Sequence, residues 1–299
     1  MIRAEHIYKS FDGIPALTDL SLRVQKGSIY GLIGVNGAGK TTAINLLSGI
    51  YKADKGEITL DGEPVYDSEP VKKRIGLISD APWFPAGSTL KSQAAFRSRI
   101  YPDWDSQTFT SAAETLKLDI NKSLSTFSKG KKKQAAFVLT LAAKPDLLLL
   151  DEPMDGLDPI VRRVIRNIIL DEVAERQMSV LISSHNLREL ENMCDTVGLL
   201  ADHGMKLETD LDNITGQMHK VQISFEDENR AERLCSLLKI IHREKHGSVE
   251  LWIVKETEAR LREIISRENP RIFDILPMTL EEIFIYELRG DCHDYEEIL

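Results

Sequence analysis

The chain has 299 residues, 42% of them hydrophobic and 28% charged, which suits one large domain plus a smaller one. Its net charge of −9, with no basic stripe, argues against nucleic acid as a partner. Three scattered cysteines, Cys194, Cys235 and Cys292, show neither metal spacing nor an even-numbered disulfide framework, and fit a reducing cytosol.

The N-terminal MIRAEHIYKS opens with charges and has no signal-type apolar segment. Residues 16–24 (ALTDLSLRV) alternate, with Leu20, Leu22 and Val24 set against Ser21 and Arg23, and predict a half-buried strand. Ser28–Ile33 (SIYGLI) reads as a buried strand. GVNGAGKTT (34–42) follows, in which Gly34, Gly39, Lys40 and Thr41 fill the pattern G-x-x-x-x-G-K-[ST]. The next residues have helical spacing, with Ile44, Leu47 and Ile50 on one face. A strand, a glycine loop and a helix N-terminus aim backbone N–H groups and the positive end of the helix dipole at an anion. Gly34, Val35, Asn36, Gly37, Ala38, Gly39, Lys40, Thr41 and Thr42 are therefore the candidate residues for gripping nucleotide phosphates. Lys40 supplies a point charge near the β and γ phosphates, and the Thr41 hydroxyl is a candidate Mg²⁺ ligand.

Short strands are expected at Gly56–Leu60 and Arg74–Ile78. Residues 88–143 are mostly helical in pattern, broken by Pro102 and a polar linker at 121–125. The longest uncharged apolar stretch, Gln134–Ala143, is about half the length needed to span a bilayer, so membrane work would go through a partner. The apolar run ending at Leu150 predicts a strand covered on both faces. Residues 161–173 place Val161, Val164, Ile165, Ile168, Ile169 and Val173 on one helical face, and Ser179–Ser184 is another buried strand. Alternating strands and helices predict an α/β domain with a mixed, mainly parallel core sheet. Its ligands would sit at the carboxyl ends of the strands, where Gly34, Asp151 and His185 fall.

From about residue 218 the pattern changes. Val221, Ile223 and Phe225 alternate, a helix runs to Lys239, Val249, Leu251 and Ile253 alternate, and a helix (257–266) and a strand (271–276) follow. This is a β-α-β-β-α-β candidate for a small α+β, ferredoxin-like accessory domain at 218–299, set apart from an ATP-binding domain at 1–217. Residues 218–299 hold 12 Lys/Arg against 18 Asp/Glu, and the tail DCHDYEEIL is acidic.

Phosphoryl transfer to water needs a further metal ligand and a group that activates the water. In DLLLLDEP, Asp151 at the tip of the strand is the candidate Mg²⁺ ligand and Glu152 the candidate general base. His185 follows the strand VLISS, within reach of a γ-phosphate. A polar strand exit or a lone histidine is ordinarily structural; the upstream phosphate loop tips both towards catalysis.

The order of these motifs resembles the ATP-binding subunits of ABC transporters over residues 1–217. Phe11 occupies the place of the aromatic that stacks on adenine, and FSKGKKK (127–133) stands where the family has its LSGGQ signature. DEP with DGLD (155–158) matches the Walker B and D-loop, and SSHN carries the switch histidine, His185. The resemblance implies a P-loop NTPase domain with a helical subdomain, and ATP and Mg²⁺ as cofactors. It also implies head-to-tail pairing with a second ATP-binding subunit, either an identical copy or a paralogue. Ser128 and Gly130 would then complete the partner's ATP site. An integral-membrane permease would be the other partner, with the chain peripheral on the inner face of the cell membrane. FDGIPALTDLSL, YPDWD (101–105) and PMTLEEIFI (277–285) resemble bacterial ABC-2-type ATPases, including the GntR-linked and antibiotic-export branches, which implies export. YPDWD has an equal structural reading, a helix-breaking proline beside a buried Trp104.

Several positions depart from the family pattern. Asp80 stands where a glutamine is usual; ionised, it can bind Mg²⁺ or order water but cannot donate a hydrogen bond. Lys129 and Lys131 replace the usual Gly and Gln. Lysines 129, 131, 132 and 133 read as a solvated basic helix start, with the alternative that Lys131 adds charge beside the partner's γ-phosphate. Trp83 and Phe84 either pack on a transmembrane partner or fill the helical subdomain. A soluble nucleic-acid-dependent ATPase would need paired cassettes, a coiled coil or basic arms, none of which occurs in this sequence. A regulatory module that binds ATP without turnover draws support from the departures and is opposed by the intact Lys40, Thr41, Asp151, Glu152 and His185.

Overall fold

The computed structural model describes residues 1–191, 193–211, 216–226 and 228–289, and it divides into a unit spanning Met1–Glu208 and a second beginning at Thr209. The acidic tail and Cys292 lie outside the described residues. Strands β1 (Ile2–Phe11) and β2 (Ile14–Val24) form an antiparallel hairpin. Its two turn residues, Asp12 and Gly13, both have positive φ, as a right-twisted two-residue hairpin requires. With β4 (Lys55–Leu60) and β5 (Glu63–Pro64), the hairpin makes a four-stranded sheet.

The second sheet carries the chemistry. β3 (Ile29–Ile33), β7 (Leu147–Asp151) and β8 (Ser179–Ser184) are buried at every position, which is why each has a largely apolar stretch, with polar residues only at the ends of β7 and β8. They pair in parallel, with β9 (Thr196–Ala201) outside β3 and β6 (Ile75–Ile78) outside β7. β10 (Gly204–Asp210) extends the β9 edge. Helix α1 (Lys40–Leu47) lies in the core shared by the two sheets. Its Ile44 and Leu47 join Leu17 and Leu20 from one sheet and Leu147, Leu149 and Leu181 from the other. The face expected to continue to Ile50 stops short: the helix ends at Leu47, Gly49 takes φ 70°, and Ile50 is exposed.

After α2 (Glu69–Lys73) and β6, three helices form a separate layer: α3 (Leu90–Arg97), α4 (Ser106–Thr115) and α5 (Lys129–Leu141), with α3 and α4 both packed on α5. Asp105 caps α4 by accepting from the N–H groups of Gln107 and Thr108, which lets the chain restart a helix soon after Pro102. Trp104 beside it is half-buried and packs on Phe109. Helix α6 (Pro159–Arg176) begins on the cap Asp158 with proline at its first position. Of its expected apolar face only Ile165 and Ile169 are fully buried. The one-turn α7 (Leu187–Leu190) follows β8.

The second unit runs β11 (Met218–Ser224), α8 (Glu228–Leu237), β12 (Ile240–His246), β13 (Val249–Lys255), α9 (Glu258–Arg267), β14 (Ile272–Leu276) and α10 (Leu280–Arg289). Its antiparallel sheet has the order β12-β13-β11-β14. Val221, Ile223, Trp252 and Val254 pack against Leu234 of α8 and Leu261 and Ile265 of α9. The helix-covered face of β13 is thus the Trp252–Val254 face rather than the Val249–Leu251–Ile253 set singled out by alternation. Glu250 can sit on this face because it pairs with Arg243 and accepts from Trp252 Nε1.

Candidate functional site

The loop between β3 and α1 is folded around its own backbone. Gly39, directly before α1, has φ 109°, and a Cβ there would come within 2.7 Å of the Ala16 carbonyl oxygen. A Cβ on Gly34 would stand 2.4 Å from the Leu200 carbonyl oxygen. Neither position accepts a side chain. The first contact also brings the β1–β2 hairpin against the loop. At the end of β1, Phe11 is exposed and meets Tyr51 edge-on at 5.3 Å, with Lys9 Nζ over its face. Tyr51 adds an aromatic wall that sequence patterning did not single out.

Asn36, Gly37, Gly39, Lys40, Thr41, Thr42, Asp80, Asp151 and Glu152, with Ala16, line one cleft of about 330 Å³. Lys40 is only 6% exposed; its Nζ donates to the Gly34 carbonyl (2.6 Å) and lies 3.2 Å from Glu152 Oε1. Thr41 Oγ1 donates to Asp151 Oδ2 at 2.8 Å, and Ser183 Oγ donates to Asp151 Oδ1 at 2.7 Å. That Ser183 oxygen also accepts from the Glu152 N–H. Ser183 was not among the residues picked from the sequence; its place beside Asp151 in the β7–β8 register is the signal that could have found it.

Glu152 has φ 46°, a left-handed conformation that costs a non-glycine residue on the order of 1–3 kcal/mol. Its Oε2 accepts from His185 Nδ1 at 2.9 Å. A carboxylate only accepts, so Nδ1 carries a proton in this contact. Glu152 Oε1 is buried with no hydrogen-bond donor, since the approach of Lys40 makes an ion pair without hydrogen-bond alignment. With Lys40 turned to another anion, that oxygen would have the free acceptor position that taking a proton from water requires.

Thr41 and Asp151 offer oxygen donors only and converge within hydrogen-bond distance, a set suited to a hard cation that keeps most of its waters. Asp80 reaches the same cleft but is committed elsewhere. Its Oδ1 lies 2.7 Å from Lys133 Nζ and 3.1 Å from Lys129 Nζ. Partial burial opposes its charge, yet the two ammonium groups prevail and hold the carboxyl below the usual carboxylate range. Lys133 is not a solvated residue of the basic helix start: it is 2% exposed, while Lys129 and Lys131 remain on the surface. Ser128 caps α5 by accepting from the Lys131 N–H, and a Cβ on Gly130 would meet the Gly156 carbonyl oxygen at 2.9 Å. Gly130 therefore sits beside the 155–158 turn, and neither Ser128 nor Gly130 lines the cleft of its own chain. Trp83 is 81% exposed and Phe84 half-buried.

Comparison with known proteins places this geometry. Residues 17–155 match the family model described as ABC transporter. The ABC transporter ATP-binding protein YtrB of Bacillus subtilis (strain 168) is 34% identical over 291 residues, 97% of this chain and 99% of that protein. This chain belongs to the ABC transporter ATP-binding proteins. The Bacitracin transport ATP-binding protein BcrA of Bacillus licheniformis is 29% identical, covering 94% of each chain. Among solved structures, the dimeric ATP-binding cassette MJ0796 in a post-hydrolysis state with ADP and Pi matches with a TM-score of 0.65. It is 20% identical and covers 71% of this chain and 99% of that one, a likeness of fold. ATP hydrolysis is the general activity of the family, and an α/β domain with a mainly parallel core sheet is its fold.

Proposed function

We propose that this ABC ATPase powers a separate membrane permease in the export direction, hydrolysing Mg²⁺-ATP with Glu152 as general base and His185 as its partner. The observation that carries the reading is the convergence of Lys40, Thr41, Asp151, Glu152 and His185 within hydrogen-bond or ion-pair distance at the carboxyl ends of β3, β7 and β8. Gly34 to Thr42 grip the phosphates, and Phe11 with Tyr51 forms the aromatic platform for adenine. Lys40, released from the Gly34 carbonyl, pairs with phosphate oxygens. Thr41 and Asp151 hold Mg²⁺, which when bound neutralises phosphate charge. Glu152 Oε1 accepts the proton of the attacking water, and His185 Nδ1–H fixes the carboxylate through Oε2. Ser128 and Gly130 lie apart from this cleft, which supports a second subunit whose ATP they complete.

The permease is supported by two features. Among the described residues no helix is long and apolar enough to cross a membrane. Trp83 is a large apolar side chain left in solvent two residues beyond the Asp80–Ala81 exit from β6. BcrA is named for bacitracin transport, and the ABC-2 resemblance supports export. The chain would then work at the inner face of the cell membrane. The test is phosphate release by the purified chain with and without membranes carrying the permease that co-purifies with it. Membranes should stimulate turnover, and Trp83→Ala should abolish the stimulation while leaving the chain's own turnover unchanged. Stimulation by membranes that persists in Trp83→Ala removes the docking role of Trp83, and no stimulation by any membrane fraction removes the permease.

A further inference from the structure

One buried cation has no part in the phosphate site. Lys133, on the second turn of α5, is 2% exposed and points away from solvent into the turn that follows β7. Its Nζ donates to the carbonyl oxygens of Glu152 (2.7 Å) and Asp155 (2.9 Å). Asp80, beyond the end of β6, stands 2.7 Å from the same ammonium. Two of its three N–H groups donate to these carbonyls, and the ammonium faces the Asp80 carboxylate as an ion pair. Burying such a charge is unfavourable unless it is paired and hydrogen-bonded, so the arrangement holds as a set.

What the ammonium grips matters more than the pairing. The Glu152 carbonyl belongs to the residue whose φ is 46°, a conformation that neighbouring structure must impose. The Glu152 N–H is held on the other side by Ser183 Oγ. The peptide groups on either side of the Glu152 Cα are thereby fixed from α5 and from β8, which sets the direction in which the side chain leaves the backbone.

We propose that Lys133 is a positioning residue for hydrolysis: it clamps the Glu152 and Asp155 carbonyls and so aims the Glu152 carboxylate, with Asp80 as the counter-charge that holds the clamp. This gives the Asp80 departure and the buried Lys133 a joint purpose. Asp80 serves the reaction through Lys133, in place of the hydrogen-bond donor that an amide at that position would supply. The proposal rests on Glu152 being the base.

The test compares kcat and KM for Mg²⁺-ATP in the full chain, together with equilibrium binding of a fluorescent ATP analogue. Lys133→Met should lower kcat by about 10²-fold, the scale of a misplacement near 1 Å, with ATP affinity unchanged. Lys133→Gln, whose amide can still donate to both carbonyls, should recover most of that loss. Asp80→Ala removes the counter-charge at a partly exposed position and covers the case in which Lys133→Met does not fold; it too should lower kcat, and because Asp80 lines the cleft its effect is read on kcat alone. Combined with Lys133→Gln it should add less than its separate effect, because both changes act through one clamp. Wild-type kcat in Lys133→Met or Asp80→Ala, equal losses in the Met and Gln variants, or full additivity would overturn the proposal. If Glu152→Gln kept full turnover, the base assignment would fall first, and the clamp with it.

Discussion

At the scale of single residues, the site is a chain of oxygen and nitrogen atoms with few spare partners. Ser183 is the hinge of that chain, because one hydroxyl serves both the Asp151 carboxylate and the Glu152 N–H. Removing it leaves a buried acceptor and a buried donor unmade, at a cost of about 1–3 kcal/mol. Ser183→Ala should therefore unfold at lower urea concentration and also lose turnover, whereas a purely structural serine would lose stability alone. Denaturation and phosphate release on the same preparation separate the two. Lys40 and Thr41 were legible from the sequence because the loop pattern itself encodes their chemistry. Ser183 and Lys133 were not, because their importance depends on which strand lies beside β7 and how far α5 reaches.

At the scale of elements, apolar runs proved the most readable feature. β3, β7 and β8 are buried on both faces, so a run of apolar residues is what the parallel sheet demands. Alternation misled in β13, where Glu250 shares the covered face with Trp252 by pairing with Arg243, and the strand looks inverted in one dimension. Caps carry a measurable share of element stability. Asp105 at the start of α4 accepts from Thr108 Oγ1 and from two backbone N–H groups, which hold its pKa down from 3.8 to about 2. A depressed carboxyl stabilises the fold above its unfolded value and loses that contribution as pH falls through its folded one. Asp105→Ala should thus cost about 1 kcal/mol near neutral pH, with the difference from wild type shrinking as pH drops from about 4 to about 2. Urea titrations across that range measure it; a constant difference would mean the cap does not depend on the charge.

At the scale of the whole molecule, the phosphate-loop cleft is lined from the first unit, and Ser128 and Gly130 stand outside it; under the proposed function these two complete a second subunit's ATP site. The motif order foretold the family. The cargo has no counterpart in the motif order; under the proposed function the residues that read it would belong to the permease. What joins the scales is Glu152, a strained residue at the tip of a central strand, paired with His185 and Lys40 and held by Ser183 and Lys133. The most direct measurement is steady-state phosphate release by the full chain with Mg²⁺ and saturating ATP, wild type beside Glu152→Gln. Wild type should turn over, and the variant should lose about 10²–10⁴-fold while still binding ATP. Hydrolysis by Glu152→Gln at the wild-type rate would contradict the assignment of the base and the purpose of everything that holds it.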